Sequence, residues 1–212
     1  MAHIPALVGS FALAYLIGSL PTSYLFARTI KGIDIREVGS GNAGATNVLR
    51  NVGKVPALIT LLIDILKGWI VVTLIGDYFY FTYETGMEYD AYRGLMGLTA
   101  VCGHVWPVFL KFRGGKGVAT TLGVAIGLTP FALIPSALIW FLVFYITNFV
   151  SLASVMALLL FPAVACILKY PFYIILSSVA ICSLSIYKHR DNIRRLVRGE
   201  ESKTYIFKKR AV

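Results

Sequence analysis

The sequence predicts an all-α integral membrane protein with seven transmembrane helices, some of them short or interrupted. Its 212 residues are 58% hydrophobic and 14% charged, which is typical of a chain that spans a bilayer rather than of a soluble domain. Apolar blocks long enough to cross a membrane alternate with polar segments. The Lys and Arg residues are concentrated in alternate polar segments, which is the pattern of cytoplasmic loops.

The first three crossings follow from the apolar blocks of the N-terminal half. Residues 4–27 carry no charge and are long enough to span alone. Residues 55–76 form the second crossing although they contain Asp64 and Lys67, and residues 94–110 form a short third one. The acidic and aromatic segment 77–93 is therefore predicted to be an external loop at the membrane interface.

The remaining crossings follow from parity. Residues 117–168 are 52 residues without a charge, and residues 170–187 form a further apolar block. The basic segments 111–116 and 188–212 flank these blocks and both belong in the cytoplasm, so an even number of crossings lies between them. Two crossings of about 20 residues would leave too much apolar chain, so we predict four. The expected interruptions are at Pro130, Asn148 and Pro171.

Seven crossings place the N-terminus outside and the C-terminus in the cytoplasm. With this orientation, 17 of the 20 Lys and Arg residues fall on the cytoplasmic side. We expect a single membrane-embedded domain, 1–212, with a basic tail at about 188–212 that forms an amphipathic helix and then a frayed end on anionic lipid. The net charge of +10 does not lie on a soluble domain, so we expect anionic substrates and no nucleic acid.

Two glycine-rich, basic segments on the cytoplasmic side predict phosphate sites. In GSGNAGATNVLR (39–50), glycine turns offer backbone N–H donors and Arg50 adds a fork for two-point contact. In FRGGKGVAT (112–120), a Gly-Gly-Lys-Gly turn opens a helix whose N-terminus favours an anion. This turn is not a Walker A loop, because no Ser or Thr follows Lys116. The candidate binding residues are Ser40, Gly41, Asn42, Thr46, Asn47, Arg50, Arg113, Gly114, Gly115, Lys116 and Gly117.

Three further polar residues lie at the same predicted membrane face. Ser151 begins the sixth crossing and either contributes to the site or caps the helix. His189 and Asn192 follow the last crossing, and their i, i+3 spacing lets them share one helix face. We take His189 and Asn192 as the candidate catalytic residues.

Three ionisable residues within the predicted crossings are candidates for supporting roles. Asp64 and Lys67 are three apart in an apolar helix, so they can neutralise each other. Such residues are costly in a membrane and usually functional. We expect them to brace the cytoplasmic loops, with a direct role in the site as the alternative. His104 is either a packed, hydrogen-bonded histidine or a catalytic one. No metal-ligand cluster is evident, so we expect neither a metal nor another cofactor.

Taken together, these segments resemble the bacterial acyl-phosphate:glycerol-3-phosphate acyltransferase (PlsY) family. The matching segments are GSGNAGATNVLR, DILKG at 64–68, GHVWPVFLKFRGGKGVAT at 103–120, SLAS at 151–154 and HRDNIRRLVRGEE at 189–201. They occur in the family's order and spacing and cover nearly the whole chain. Three local departures are Pro-Thr-Ser at 21–23 for Pro-Phe-Gly, Asn-Phe at 148–149 for a basic–aromatic pair, and about nine extra C-terminal residues.

The resemblance implies transfer of an acyl chain from acyl phosphate to the 1-hydroxyl of sn-glycerol 3-phosphate. The products are 1-acylglycerol 3-phosphate (lysophosphatidic acid) and inorganic phosphate, in phospholipid biosynthesis. The partners are then the two substrates and membrane lipid, and no cofactor is needed. The implied location is the bacterial inner membrane, multi-pass, with the active site facing the cytoplasm. We expect the protein to function as a monomer.

The sequence favours direct transfer without a covalent intermediate, because it does not indicate a Ser–His–Asp triad. In addition, neither His104 nor His189 is followed by Asp at the fifth position. Either His189 or a phosphate oxygen of the substrate is the base. We favour the substrate, with His189 orienting it through Asn192. The alternative function is an organic-phosphate transporter, which short, broken helices and glycine-rich turns would suit.

Overall fold

The computed structural model describes residues 4–205, and every regular element in that part of the chain is helical. The α-helices are α1 (Ile4–Gly18), α2 (Thr22–Lys31), α3 (Ala45–Asn51), α4 (Lys54–Ile70), α5 (Gly76–Thr82), α6 (Tyr89–Val105), α7 (Val118–Leu128), α8 (Pro130–Thr147), α9 (Val150–Ile167), α10 (Phe172–Lys188) and α11 (Arg190–Val197). A π-helical segment, Val71–Ile75, joins α4 to α5, and a 3₁₀ turn, Val108–Leu110, follows α6. The predicted all-α class is confirmed for the described residues.

The first predicted crossing is bent rather than continuous. α1 ends at Gly18 and α2 begins at Thr22, with Pro21 between them, because proline lacks the N–H that would continue the helix. The Leu20 carbonyl at this break accepts hydrogen bonds from the Thr22 amide at 3.0 Å and from Lys67 Nζ at 3.3 Å. The Leu20 carbonyl is thus satisfied inside the protein, as an apolar environment requires.

The uncharged block 117–168 is broken where the sequence predicts. α7 ends just before Pro130, and α8 ends just before Asn148, which takes a left-handed φ of 60°. α10 begins directly after Pro171. α7 has 11 residues, which rise about 16 Å, so α7 alone is much shorter than a hydrocarbon core of about 30 Å.

Four helical stretches of the described chain are long and apolar enough to cross a membrane. They are Ile4–Lys31, Lys54–Thr82, Pro130–Thr147 and Val150–Ile167. A fifth results if Phe172–Lys188 and Arg190–Val197, which meet at 54°, count as one span. These stretches support a membrane-spanning fold. Because α6 and α7 do not reach this length and composition, the number of seven crossings stays a prediction.

The segment 77–93 differs from the predicted loop. α5 continues to Thr82 and α6 begins at Tyr89, so only the residues between them form a connection. The early start of α6 has a local cause, since the Glu88 carboxylate accepts a hydrogen bond from the Ala91 amide at 2.9 Å and caps the helix. The third predicted crossing, 94–110, was therefore misplaced, because α6 ends at Val105.

The basic tail also differs from its predicted form. α11 confirms the expected short helix after residue 188, but residues 201–205 fold back onto the protein instead of fraying. The chain reverses at Gly199, which has a left-handed φ of 71°, and the Thr204 amide donates to the Asn148 carbonyl at 2.8 Å. Residues 206–212, the rest of the predicted frayed end, lie outside the described residues.

Glycines allow α4 and α7 to pack with their backbones in contact. A Cβ atom on Gly123 of α7 would lie 1.9 Å from the Ile65 carbonyl oxygen of α4, and one on Gly68 would lie 2.2 Å from the Thr120 carbonyl oxygen. Close approach through small residues is a usual packing mode of membrane helices. The helix that follows the second glycine-rich segment is thereby fixed against the helix that carries Asp64 and Lys67.

Candidate active site

Glu201 is the acceptor that links several predicted site residues. Its Oε1 accepts hydrogen bonds from Ser151 Oγ and from Asn192 Nδ2, each at 2.7 Å, and its Oε2 accepts one from Arg195 Nε at 2.8 Å. Burial raises the pKa of Glu201, but the three hydrogen bonds outweigh burial and hold its pKa below the usual value. The buried carboxyl group is therefore ionised at neutral pH.

Lys116 joins this arrangement from the second glycine-rich segment. Its Nζ donates to Asn192 Oδ1, so the oxygen of that amide faces the lysine while the nitrogen faces Glu201. Burial lowers the pKa of Lys116 to about 8. The carboxylate of Glu201 opposes this shift, whereas the guanidinium groups of Arg195 and Arg50 add to it.

Arg50 approaches the same place from α3. Its Nη2 donates to the Ser202 carbonyl at 2.9 Å and to Thr204 Oγ1 at 2.6 Å. Its Nε is buried and has no hydrogen-bond partner among residues 4–205. Burial lowers the pKa of Arg50, and the carboxylate of Glu201 opposes that shift. Arg50 is thus a half-buried cation whose hydrogen-bond acceptors are neutral oxygen atoms.

These groups carry more positive than negative charge. We call the cluster the Glu201 network, and its members are Ser151, Asn192, Arg195, Glu201, Lys116 and Arg50. Three side chains that are ordinarily cations surround one carboxylate, in a partly desolvated environment where charges are screened less than in water. Such a surplus favours the binding of an anion.

The second glycine-rich segment packs against the C-terminal end of α6. The Gly115 amide donates to the His104 carbonyl at 3.1 Å, and the Gly114 amide donates to the Val105 carbonyl at 3.2 Å. A Cβ atom on Gly115 would lie 2.1 Å from His104 Nε2, so only glycine allows this approach. Two of the expected phosphate donors are therefore paired within the protein. What the segment directs to the Glu201 network is the Lys116 side chain.

The first glycine-rich segment is organised around Asn47. This buried side chain donates from Nδ2 to the carbonyls of Ile35 at 2.8 Å and Val38 at 3.0 Å, and its Oδ1 accepts from the Ser40 amide at 3.1 Å. The Gly41 amide donates to the Val38 carbonyl at 3.1 Å. The Ser40 and Gly41 amides and the Asn47 side chain thus form hydrogen bonds within the loop. Their role as phosphate donors stays a prediction.

The other predicted residues of the two segments have no such fixed role. Gly117 takes a φ of 85° and precedes α7, whose N-terminus has no side-chain cap. Asn42 and Thr46 are half-buried, and Arg113 is exposed. Thr46 lies one helical turn before Arg50 on α3, so the two side chains share a face.

His189 lies at the bend between α10 and α11 and is buried. Its Nδ1 lies 2.8 Å from the Ser185 carbonyl oxygen. Burial lowers the pKa of His189 to about 4, so the ring is neutral at pH 7. Because a carbonyl only accepts, Nδ1 carries the single proton and Nε2 has the lone pair. Asn192 is one turn away as predicted, but its amide is bonded to Lys116 and Glu201 rather than to His189.

A second group of buried polar residues, which we call the deep cluster, consists of Thr22, Asp64, Lys67 and His104. Asp64 Oδ1 lies 2.9 Å from Lys67 Nζ, accepts a hydrogen bond from Thr22 Oγ1 at 2.7 Å and lies 3.8 Å from His104 Nδ1. The predicted neutralisation of Asp64 by Lys67 is therefore confirmed. The deep cluster reaches the second glycine-rich segment through His104, and its role as a brace stays a prediction.

Comparison with known proteins decides the family. The family model described as glycerol-3-phosphate acyltransferase matches residues 8–199. The chain belongs to this acyltransferase family. Its similar relatives include the glycerol-3-phosphate acyltransferase of Endomicrobium trichonymphae, 42% identical over 198 residues that cover 93% of this chain and 96% of the relative. The enzyme of the same name from Prochlorococcus marinus (strain MIT 9215) is 44% identical over 193 residues, which cover 90% and 93%.

Two solved structures share the fold of this acyltransferase. Both are PlsY (YgiH), described as an integral membrane glycerol 3-phosphate acyltransferase. The glycerol 3-phosphate form has a TM-score of 0.85 and 37% identity, covering 94% of this chain and 96% of that one. The lysophosphatidic acid form has a TM-score of 0.82 and 36% identity, covering 94% and 95%. The chain is therefore an integral membrane acyltransferase, and the transporter alternative falls away.

The acyltransferase fold brings four of the predicted residues into one network: Arg50, Lys116, Ser151 and Asn192. Ser151 is not a helix cap as the alternative held, because Phe149 has the capping position of α9 and the serine hydroxyl binds Glu201. Sequence reasoning missed Glu201 and Thr204 as site residues. Glu201 stands in a strongly basic tail, which was a usable signal for a charge partner, whereas one threonine in a polar tail gave no signal.

Proposed function

We propose that the Glu201 network is the site at which this enzyme acylates glycerol 3-phosphate to lysophosphatidic acid. We further propose that the donor is acyl phosphate, so that inorganic phosphate is the second product. The observation that carries the proposal is the positive surplus of the network, with three cationic side chains around one carboxylate. Both substrates and the leaving group are phosphates, which such a surplus attracts.

Transfer is direct in this proposal. The 1-hydroxyl oxygen of glycerol 3-phosphate attacks the acyl carbonyl carbon, and the bond from that carbon to the phosphate oxygen breaks. The hydroxyl proton passes to a phosphate oxygen of the substrates, and phosphate leaves. Lys116 and Arg50 offset the repulsion between the two phosphates and stabilise the developing oxyanion. Holding both substrates in contact supplies much of the remaining rate enhancement.

His189 orients the attacking hydroxyl in this mechanism. Its Nδ1 proton is engaged by the Ser185 carbonyl, so Nε2 is free to accept a hydrogen bond from the substrate. His189→Ala is therefore expected to lower turnover by about a hundredfold while leaving measurable activity. Complete loss of turnover with normal equilibrium binding of glycerol 3-phosphate would instead identify His189 as the base.

We propose a topology of seven crossings in the bacterial inner membrane, with α6, α7 and α10 as the shorter ones. The N-terminus is then outside, and the site faces the cytoplasm. The placement of 17 of the 20 Lys and Arg residues supports this orientation. We further propose that the enzyme functions as a monomer.

The orientation is testable by labelling intact cells with a membrane-impermeant thiol reagent. Single cysteines are introduced by Thr82→Cys and Arg198→Cys in a chain whose three natural cysteines are replaced by alanine. Thr82→Cys is expected to react and Arg198→Cys to react only after the cells are opened. The reverse pattern would contradict the proposed orientation.

The site assignment is tested by phosphate release from purified enzyme supplied with acyl phosphate and glycerol 3-phosphate. Lys116→Ala and Arg50→Ala are each expected to lower kcat/KM by about a hundredfold or more, because they remove cations from the reacting phosphates. Lys54→Ala is the matched control, since Lys54 is exposed at the start of α4. Full activity of both Lys116→Ala and Arg50→Ala would refute the site while leaving the family activity intact.

A further inference from the structure

The cation on Arg50 is held by a segment that folds back from the C-terminus. We call residues 201–205 the C-terminal strap. We propose that Thr204 in this strap is a positioning residue for Arg50, fixing the guanidinium without neutralising it. The inference rests on the proposed function, because it takes Arg50 to bind a substrate phosphate.

The partners of Arg50 are well suited to positioning. Its Nη2 donates to the Ser202 carbonyl and to Thr204 Oγ1, which both lack a net charge. The strap's own carboxylate, on Glu201, is bonded to other members of the Glu201 network instead. The strap therefore restrains a long, flexible side chain and leaves its charge to attract an anion. A cation ordered before the substrate arrives loses less conformational entropy on binding.

Thr204 can serve this role because it is itself anchored. It is buried, and its amide donates to the Asn148 carbonyl at 2.8 Å. The neighbouring Lys203 ammonium lies 5.5 Å from the centre of the Phe149 ring, a cation–π contact. Asn148 and Phe149 form the turn between α8 and α9 that leads to Ser151. The strap thus connects α3, which carries Arg50, to the start of α9 on the other side of the site.

The strap lies beyond the part of the chain that the family model covers. That match ends at residue 199, whereas Glu201, Ser202 and Thr204 follow it. The Thr204 hydroxyl lies beyond this match, and the segments that resemble the family end at Glu201. Its 2.6 Å contact with Arg50 gives it a specific, removable effect on one cation of the site.

The test replaces the hydroxyl and keeps the shape of the side chain. Thr204→Val removes the acceptor but stays β-branched, and Thr204→Ser restores the hydroxyl. Arg50→Lys first identifies the substrate whose KM depends on the guanidinium fork. Thr204→Val is expected to raise that KM roughly fivefold, as loss of one hydrogen bond does. Its kcat is expected to stay within about twofold. Its thermal midpoint is expected to fall no further than the loss of one hydrogen bond allows, and Thr204→Ser is expected to match the parent enzyme.

Two comparisons separate the strap from its alternatives. Thr82→Val, the same substitution at an exposed threonine of α5, is expected to change nothing. In the double variant Arg50→Lys/Thr204→Val, the second substitution is expected to raise the KM little further, because the effects of coupled residues are not additive. If Arg50→Lys leaves both KM values unchanged, the proposed role of Arg50 fails. If Arg50→Lys raises a KM and Thr204→Val leaves that KM unchanged or lowers it, the proposed role of the strap is contradicted while that of Arg50 stands. The same holds if Thr204→Val lowers kcat and the thermal midpoint together.

Discussion

The deep cluster is built from buried charged groups and the Glu201 network from partly or fully buried ones, and the two differ in charge balance. In the deep cluster, Asp64 and Lys67 form a pair, and Thr22 donates to the same carboxylate oxygen. In the Glu201 network, one carboxylate faces the three cations of Lys116, Arg50 and Arg195. The first arrangement is complete within the protein, whereas the second leaves positive charge for a ligand.

This difference in charge balance indicates which charged residues stabilise the fold and which ones bind an anion. A closed pair contributes little net attraction for a third charge, but breaking it leaves a charge stranded in an apolar environment. An open cluster of like charges is held by the surrounding fold and relaxes when an anion arrives. We therefore expect substitutions in the deep cluster to lower stability without changing anion binding, and substitutions in the Glu201 network to change anion binding.

The largest effect is expected from breaking the pair in the deep cluster. Asp64→Asn leaves Lys67 buried without its counter-charge, and Lys67→Met leaves Asp64 likewise. Each substitution is expected to cost about 3–5 kcal/mol of stability, measured as the loss of folded protein and of thermal midpoint in detergent. The double variant Asp64→Asn/Lys67→Met removes both charges and should recover much of that loss. A double variant as unstable as the sum of the singles would show that the pair is not a closed unit.

The next effect is expected at Glu201. Glu201→Gln removes the negative charge beside Arg195 while keeping the size of the side chain. It is expected to cost about 2 kcal/mol of stability, because a charged hydrogen-bond acceptor is lost. Inorganic phosphate should then raise the thermal midpoint of Glu201→Gln more than that of the parent enzyme, since the surplus of cations is larger. Equal stabilisation of Glu201→Gln and Asp64→Asn by phosphate would erase the distinction between the two clusters.

The sequence predicted these two clusters to different extents. Apolar block length and charge were enough for the all-helical membrane class, for the breaks near Pro130, Asn148 and Pro171, and for the Asp64–Lys67 pair, because these depend on local composition and spacing. They misplaced the third crossing, which the structure gives as α6. The glycine-rich segments were predicted as backbone cradles, yet the amides of Gly114 and Gly115 bond to the end of α6. That pairing closes the irregular turn between α6 and α7, which no helical spacing encodes. The return of the strap to Asn148 was missed for the same reason.

A third effect is expected from the titration of Lys116. Its pKa is about 8, below the usual 10.5, because it is buried. The KM of the substrate that it binds is therefore expected to rise above pH 8, by about tenfold per unit, as the ammonium loses its proton. Substrate phosphates do not interfere, since their second ionisation, near pH 6, is complete. Lys116→Arg should abolish this rise, because arginine stays charged. A KM that is flat between pH 7.5 and 9.5 in the parent enzyme would exclude Lys116 from phosphate binding.

The same titration has the opposite sign for stability. The unfolded chain keeps Lys116 protonated up to about pH 10.5, whereas the folded enzyme releases the proton near pH 8. Between these values the unfolded state binds more protons, so the Lys116 contribution to the free energy of unfolding rises with pH. Weaker binding and greater stability over one pH range would mark Lys116 as a ligand-binding cation rather than as part of a closed pair.

The smallest effect is expected from Thr22→Val, which leaves the Asp64–Lys67 pair in place. The variant loses only the 2.7 Å hydrogen bond from Thr22 Oγ1 to Asp64. It is expected to lower stability by about 1 kcal/mol. The KM of both substrates is expected to stay unchanged, because the lost hydrogen bond lies within the deep cluster. Thr22→Ser keeps the hydroxyl and should restore the thermal midpoint. A raised KM at unchanged stability would mean that the deep cluster takes a direct part in substrate binding, and charge balance would then no longer separate the two regions.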